Sequence, residues 1–181
     1  FSFPDDIHVL EHIDRLVEIF NACWPMYAAM PAVLKDAIEQ AYRHKGWDLT
    51  ASYSVTGEFP TFYDLKNELP IIMEQSAYSA DTKGDYIGAL VTRVNSLTNG
   101  INGQIFCSSV ELPAKKLFDQ NVIIDISRVG SMETKSLLMG ILVMKLQEYR
   151  MSSGIMNAPL RHITVLEEAH NLLRRTSDAQ S

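Results

Sequence analysis

Apolar residues at positions 7, 10, 13, 16, 17 and 20 recur at intervals of three and four. That spacing puts them on one face of a helix over "DDIHVLEHIDRLVEIFNACW", with acids at its start. "MPAVLKDAIEQAYRHKG" has Pro31 near its beginning and Gly46 just past its end, the asymmetry of a second helix. "TFYDLKNELPIIMEQ" predicts a third, opened by Thr61 and kinked or broken at Pro70. "DYIGALVTRVNSL" predicts a fourth. The following "TNGINGQ" carries two Asn-Gly pairs, which is turn chemistry.

Past residue 100 the pattern changes. "QIFCSSV" reads as a short strand and "NVIIDIS" (121–127) as a continuous apolar strand ending near Asp125. "METKSLLMGILVMKLQEYR" (132–150) predicts a long helix and "SSGIMNAP" a loop. "HITVL" (162–166) predicts a second apolar strand, and "EEAHNLLRR" opens another helix. Strand, long helix, strand and helix make a βαβ unit, and strands this uniformly apolar belong to a parallel sheet covered on both faces. The predicted fold class is therefore α/β, with a mainly helical subdomain over 1–100 and a sheet-bearing core over 101–181. No internal repeat or low-complexity segment is visible.

Composition narrows this picture. The chain has 181 residues, 46% apolar and 21% charged, a globular balance with enough apolar side chains for a sizeable core. Its net charge of −6 argues against a broad nucleic-acid-binding surface, though not against a few basic residues on a loop. Cys23 and Cys107 are far apart with no C-x-x-C, so neither a disulfide framework nor a zinc knuckle is implied, and reduced thiols in a cytoplasmic protein are expected. The run "SLLMGILVMKL" is too short to span a bilayer, and no signal peptide is visible, so no membrane insertion is expected. The first residue is Phe1, and the chain ends soon after its most informative motif; a piece of a longer protein is expected.

That motif is "HITVLEEAHNLL" (162–173). In open parallel sheets ligands sit beyond the carboxyl ends of the strands. A strand at 162–166 would raise Glu167 and Glu168 to that rim, pointing to opposite sides. Adjacent carboxylates there suit a division of labour in nucleotide hydrolysis: one acid holds Mg2+ through water, the other orients the attacking water. Glu167 is assigned to the metal and Glu168 to the water. The same pair would equally sit well in the first turn of a helix, where the dipole favours negative charge.

"NVIIDISRVGSMETKSLLMGILVMKLQEYR" followed by "HITVLEEAHNLL" resembles the HerA branch of the HerA/FtsK superfamily of P-loop motor ATPases, relatives of the conjugation and type IV secretion ATPases. The likeness extends upstream through "MPAVLKDAIEQAY", "GWDL", "FPTFYDL" and "GDYIGALVTRVNSL" and so covers nearly the whole chain. It aligns "EEAH" with the Walker B position, Glu168 on the catalytic glutamate and Glu167 on the magnesium-side acid. It implies a RecA-like core with a helical insertion, ATP and Mg2+ as cofactors, double-stranded DNA as partner and a homo-hexameric ring. The sequence departs from the family in having no GxxxxGK[ST] phosphate loop. In the family that loop precedes the helical region, and this chain alone is expected not to hydrolyse ATP. The nearest lysine–hydroxyl string, "TKS" (134–136), lacks the glycines and reads as solvated helix surface.

Other residues have two readings each. Asp125 shares the rim with Glu167 and contacts the nucleotide, or it is a strand-end or capping acid, with Ser127 another cap. Arg128 meets a phosphate or a neighbouring subunit, or is an exposed loop arginine. His170 senses the γ-phosphate or couples to DNA, or caps and packs. His162 reads as structural. "HVLEH" (8–12) matches the H-x-x-E-H zinc pattern, with His8 and His12 one helical turn apart, but it also fits an amphipathic helix with polar residues at 8, 11, 12, 14 and 15. Trp24, Tyr27, Trp47, Phe59, Phe62 and Tyr63 lack interleaved basic residues, so packing between helices is expected rather than base stacking. Arg174 and Arg175 read as solvated.

Three functions compete. The leading one is part of an ATP-driven DNA translocase. The second is a helical interaction module or non-hydrolysing scaffold that docks a nuclease or other effector. The third takes "EEAH" as a variant of the DEAH helicase motif, which the flanking "NVIIDIS" unit fits less well.

Overall fold

The structure is a computed structural model, and it describes residues 1–154 and 159–167. Helix α1 spans Val9–Cys23, and its N-terminus is closed by His8, whose Nδ1 accepts from the Leu10 amide at 3.2 Å. Of the predicted stripe, Ile13, Leu16 and Phe20 are buried and Leu10 and Val17 half-buried, and Val9 joins the buried face. Helix α2 (Met30–His44) begins with Pro31 in its first turn and ends before Gly46, whose φ of +83° is a left-handed conformation that glycine adopts without cost.

Residues 47–54 form a hairpin that the sequence pattern does not reveal: β1 (Trp47–Asp48) pairs antiparallel with β2 (Tyr53–Ser54). Asp48 stabilises its turn, accepting from the amides of Thr50 at 2.8 Å and Ala51 at 3.0 Å. Helix α3 (Phe62–Gln75) opens with a capping box. Thr61 Oγ1 accepts from the Tyr63 amide, and Asp64 reaches back to the Thr61 amide at 2.7 Å. The helix runs through Pro70 without ending.

Next comes one helical rod with a wide turn inside it. Helix α4 (Ala80–Tyr86) passes into a π turn at Ile87–Val91 and on into α5 (Thr92–Thr98). Tyr86, Leu90, Val94 and Leu97 face the core. Their spacing drifts round a regular helix, and the extra residue in the π turn compensates. Asn99 and Gly100 (φ +58°) then break the chain direction, as the Asn-Gly signal predicts, and α6 follows over Gly100–Phe106.

Helix α7 (Ala114–Phe118) is a single short turn. Helix α8 (Met132–Ser152) is the longest element at 21 residues, capped by Ser131. It packs on α1; α1 also packs on α2, α2 on α3, and α3 on α5. A single cluster of buried apolar side chains runs from Phe3 to Met144 and holds this stack together. The crossing of α1 and α8 is close: a Cβ at Gly140 would lie 2.8 Å from Ile19 Cγ2.

The parallel sheet predicted after residue 100 is not present among the described residues. "QIFCSSV" enters as the end of α6. Neither 121–127 nor 162–166 pairs with anything, and β1–β2 is the only sheet among the described residues. The expectation of an α/β chain with a partial RecA-like parallel core is therefore overturned in favour of a mainly helical fold. The physical reason is that a parallel strand needs a neighbour on at least one edge and a layer over its faces. Here both apolar runs lie in the open: Ile123 is 95% exposed and Val165 82%. The prediction of the α8 helix between them is met almost to the residue.

Candidate functional site

The loop at 125–128 is built by Asp125 itself. Its Oδ1 accepts from the Ser127 amide at 2.8 Å, and that bond holds the exposed carboxyl below the usual carboxylate range. The acid thus spends one oxygen on its own turn, and the cap of the following helix is Ser131. Arg128 is exposed in the same loop. Glu167 is exposed at a turn after the unpaired 162–166 run. Because there is no strand beneath it, the structure supplies no sheet rim to bring Asp125, Arg128 and Glu167 into one site. Glu168 and His170 lie outside the described residues, as do Arg174 and Arg175.

The run holding Glu167 is tied down at its near end. His162 Nδ1 lies 2.9 Å from the Phe118 carbonyl oxygen and its Nε2 2.7 Å from Thr164 Oγ1. The same carbonyl accepts from Arg150 at 2.6 Å, and Asp119 accepts from Arg150 at 2.7 Å and from the Tyr149 hydroxyl at 2.6 Å. These bonds pull the Asp119 carboxyl below, and the Tyr149 hydroxyl above, their ordinary ranges. His162 is therefore structural, as the sequence suggests.

The two histidines of "HVLEH" do not converge. His8 Nδ1 receives the Leu10 amide and its Nε2 is 3.3 Å from the Thr50 carbonyl, so both ring nitrogens are engaged. His12 turns inward, and no group of three His, Cys, Asp or Glu side chains able to hold a metal occurs among the described residues. Thr134 of "TKS" is buried rather than solvated, packed at the start of α8.

Aromatic packing divides the predicted set. Trp24 and Phe62 are buried, and Trp47 and Phe59 are half-buried with ring centroids 5.1 Å apart. Tyr27 and Tyr63 are exposed. Both cysteines are free and half-buried, and burial pushes the Cys23 thiol up to about 11. No helix among the described residues is long and apolar enough to cross a membrane.

The most unusual chemistry lies between α1 and α8. His12 Nδ1 sits 2.9 and 3.0 Å from the two carboxylate oxygens of Glu148, and both side chains are fully buried. Arg15 Nη1 donates to the same carboxylate at 3.3 Å, and its Nη2 to Glu11 on its own helix. Burial lowers the His12 imidazole more than its hydrogen bond to Glu148 raises it. The ring is thus neutral at neutral pH, its Nδ1–H donating to Glu148, and Arg15 supplies the compensating charge. Across the ring lies Tyr42, whose hydroxyl donates to the Phe1 carbonyl; burial, with the nearby Glu148 charge adding to it, raises that hydroxyl well above its ordinary value.

Sequence reasoning places His12 among the polar positions of α1 and does not single out Glu148. The signal for both is their spacing. His12 falls in register with Val9, Ile13 and Leu16, and Glu148 with Leu137 and Met144. A polar residue on an apolar stripe marks a buried partner.

No family model matches this chain, and neither the curated proteins nor the solved structures contain a match.

Proposed function

We propose that this chain is part of an ATP-driven DNA translocase, contributing a helical body and the acidic segment 162–170. The observation that carries this reading is the run "HITVLEEAH" following "NVIIDIS" and a long helix, with its resemblance to the HerA branch. The exposure of Glu167 is compatible with it, since an acid that works on a bound ion must be reachable. Double-stranded DNA as partner and a homo-hexameric ring belong to the same proposal.

The residues present do not by themselves fit ATP or Mg2+. The sequence has no GxxxxGK[ST] loop to cradle phosphates, and Glu167 sits on a different exposed segment from Asp125 and Arg128. Nucleotide chemistry therefore requires residues that this chain does not supply. In the intact protein, Glu168→Gln should leave ATP binding in place and abolish turnover. Retained hydrolysis would remove the assignment. This chain alone should give no calorimetric heat with micromolar ATP.

A second reading is favoured by one observation. The helical stack of α1, α2, α3, α5 and α8 shares a core of its own. It would then be an interaction module or scaffold that docks a nuclease or other effector. The two readings separate on whether the encoding gene carries a phosphate loop upstream of Phe1: its presence favours the motor, its absence the scaffold.

A further inference from the structure

We propose that the His12–Glu148–Arg15 cluster is an acid-sensitive lock between α1 and α8, closed while His12 is neutral and released when His12 takes up a proton. The inference stands apart from the reading as a motor.

The geometry admits one protonation state of the ring and penalises the other. In the neutral ring Nδ1–H serves both Glu148 oxygens, at 2.9 and 3.0 Å. Nε2 is buried and has no hydrogen-bond partner among the described residues. Left as a lone pair it costs one unmade bond. Protonated, it becomes a charged N–H with nothing to receive it, and an unsatisfied charged group is far more costly.

The surroundings of the ring do not rescue the added charge. From α1, Arg15 pairs with Glu148 at 3.3 Å and with Glu11 on its own helix. From α8, Lys145 adds positive charge, although it also pairs with Glu111 at 2.6 Å. The amino group of Phe1 adds more positive charge. From α2, the Tyr42 ring stands 6.4 Å away with its hydroxyl committed to the Phe1 carbonyl. The Phe3 ring covers His12 at 4.9 Å and offers no acceptor. Among the described residues Glu148 is the single anion in hydrogen-bond contact with the ring, and it is shared with Arg15.

The direction of the pH dependence follows. The imidazole is held below its ordinary value in the folded protein, while in the unfolded chain it titrates near ~6.5. Below about pH 6.5 the unfolded or undocked state binds more protons. The contribution of this joint is therefore complete above that pH and falls as the pH drops towards the folded value. Because α8 packs on the stack most extensively through α1, the release should be felt first in α8.

The experiment follows amide hydrogen exchange in this chain from pH 7.5 to 5.0, after correction for intrinsic rates, together with the NMR titration of His12. The expected result is an opening constant for α8 that rises about tenfold for each unit by which the folded pKa lies below the unfolded one. Amides of α2 and α3 should change less. His12→Gln keeps a donor towards Glu148 but cannot titrate, and should flatten the α8 response. Three outcomes overturn the proposal: His12 titrating at or above its ordinary value with α8 protection unchanged, a parallel loss of protection in α2 and α3, or an undiminished slope in His12→Gln. If His12→Gln does not fold, the wild-type titration and the α8-against-α3 contrast decide the matter alone.

Discussion

In α1, Ile13, Leu16 and Phe20 are buried to the last methyl, while Val122, Ile123, Ile163 and Val165 stand in the open. The two sets are about equally apolar in sequence. What separates them is geometry. The α1 stripe meets two other helices, α2 and α8, whose own stripes are in register with it. The 121–127 and 162–166 runs are continuously apolar and meet no second strand among the described residues. Hydrophobic stabilisation scales with area removed from water, not with the apolarity of a segment. A run of Val and Ile contributes nothing until something lies against it.

The largest test of this contrast is polar. Glu148→Ala should destabilise the chain by about 3–5 kcal/mol in urea unfolding, because it leaves the fully buried His12 without its partner and removes the buried half of the Arg15 pairing. Leu65→Ala, in the fully buried face of α3, should cost about 2–5 kcal/mol. Gly140→Leu should cost about 1–3 kcal/mol by forcing α8 away from Ile19. The companion change Ile19→Ala should return part of that loss, which a double-mutant cycle would register as coupling between the two sites. At the other extreme, Ile123→Ser and Val165→Ser should each stay within ~0.5 kcal/mol of wild type. A cost there as large as that of Leu65→Ala would mean that both runs are covered in solution, and the contrast would collapse.

Helices α1, α2, α3 and α8 were legible because each carries local signals, whereas α6, read as a turn and a short strand, and the single turn α7 were not. Thr61 with Asp64, Pro31 and Ser131 mark starts, and the apolar stripes mark faces. The hairpin at 47–54 was not legible, because two-residue strands are too short to show alternation and depend on a turn held by Asp48. The sheet failed for a different reason. An apolar run reports that a segment can be buried, but pairing depends on partners elsewhere, and local sequence carries no trace of whether they are present. Of the candidate site, the packing role of His162 could be read from its position. The joining of His12 to Glu148 could not, since 136 residues separate them. Only their shared misfit, a charged or titratable residue on an apolar face, pointed to it.

The wide turn at Ile87–Val91 gives the rod from Ala80 to Thr98 a place where its length is adjustable. Its inward residues lie at 86, 90, 94 and 97, spaced four, four and three. Deleting Gly88, which has open space around it, would bring that spacing to three, four and three, the stripe of an ordinary α-helix. A deletion within α5 would instead turn everything beyond it by about 100° and carry Leu97 out of the core. The rod therefore holds one residue of slack, stored at a single point, and a chain shortened there should keep its inward face while one shortened a turn later should not.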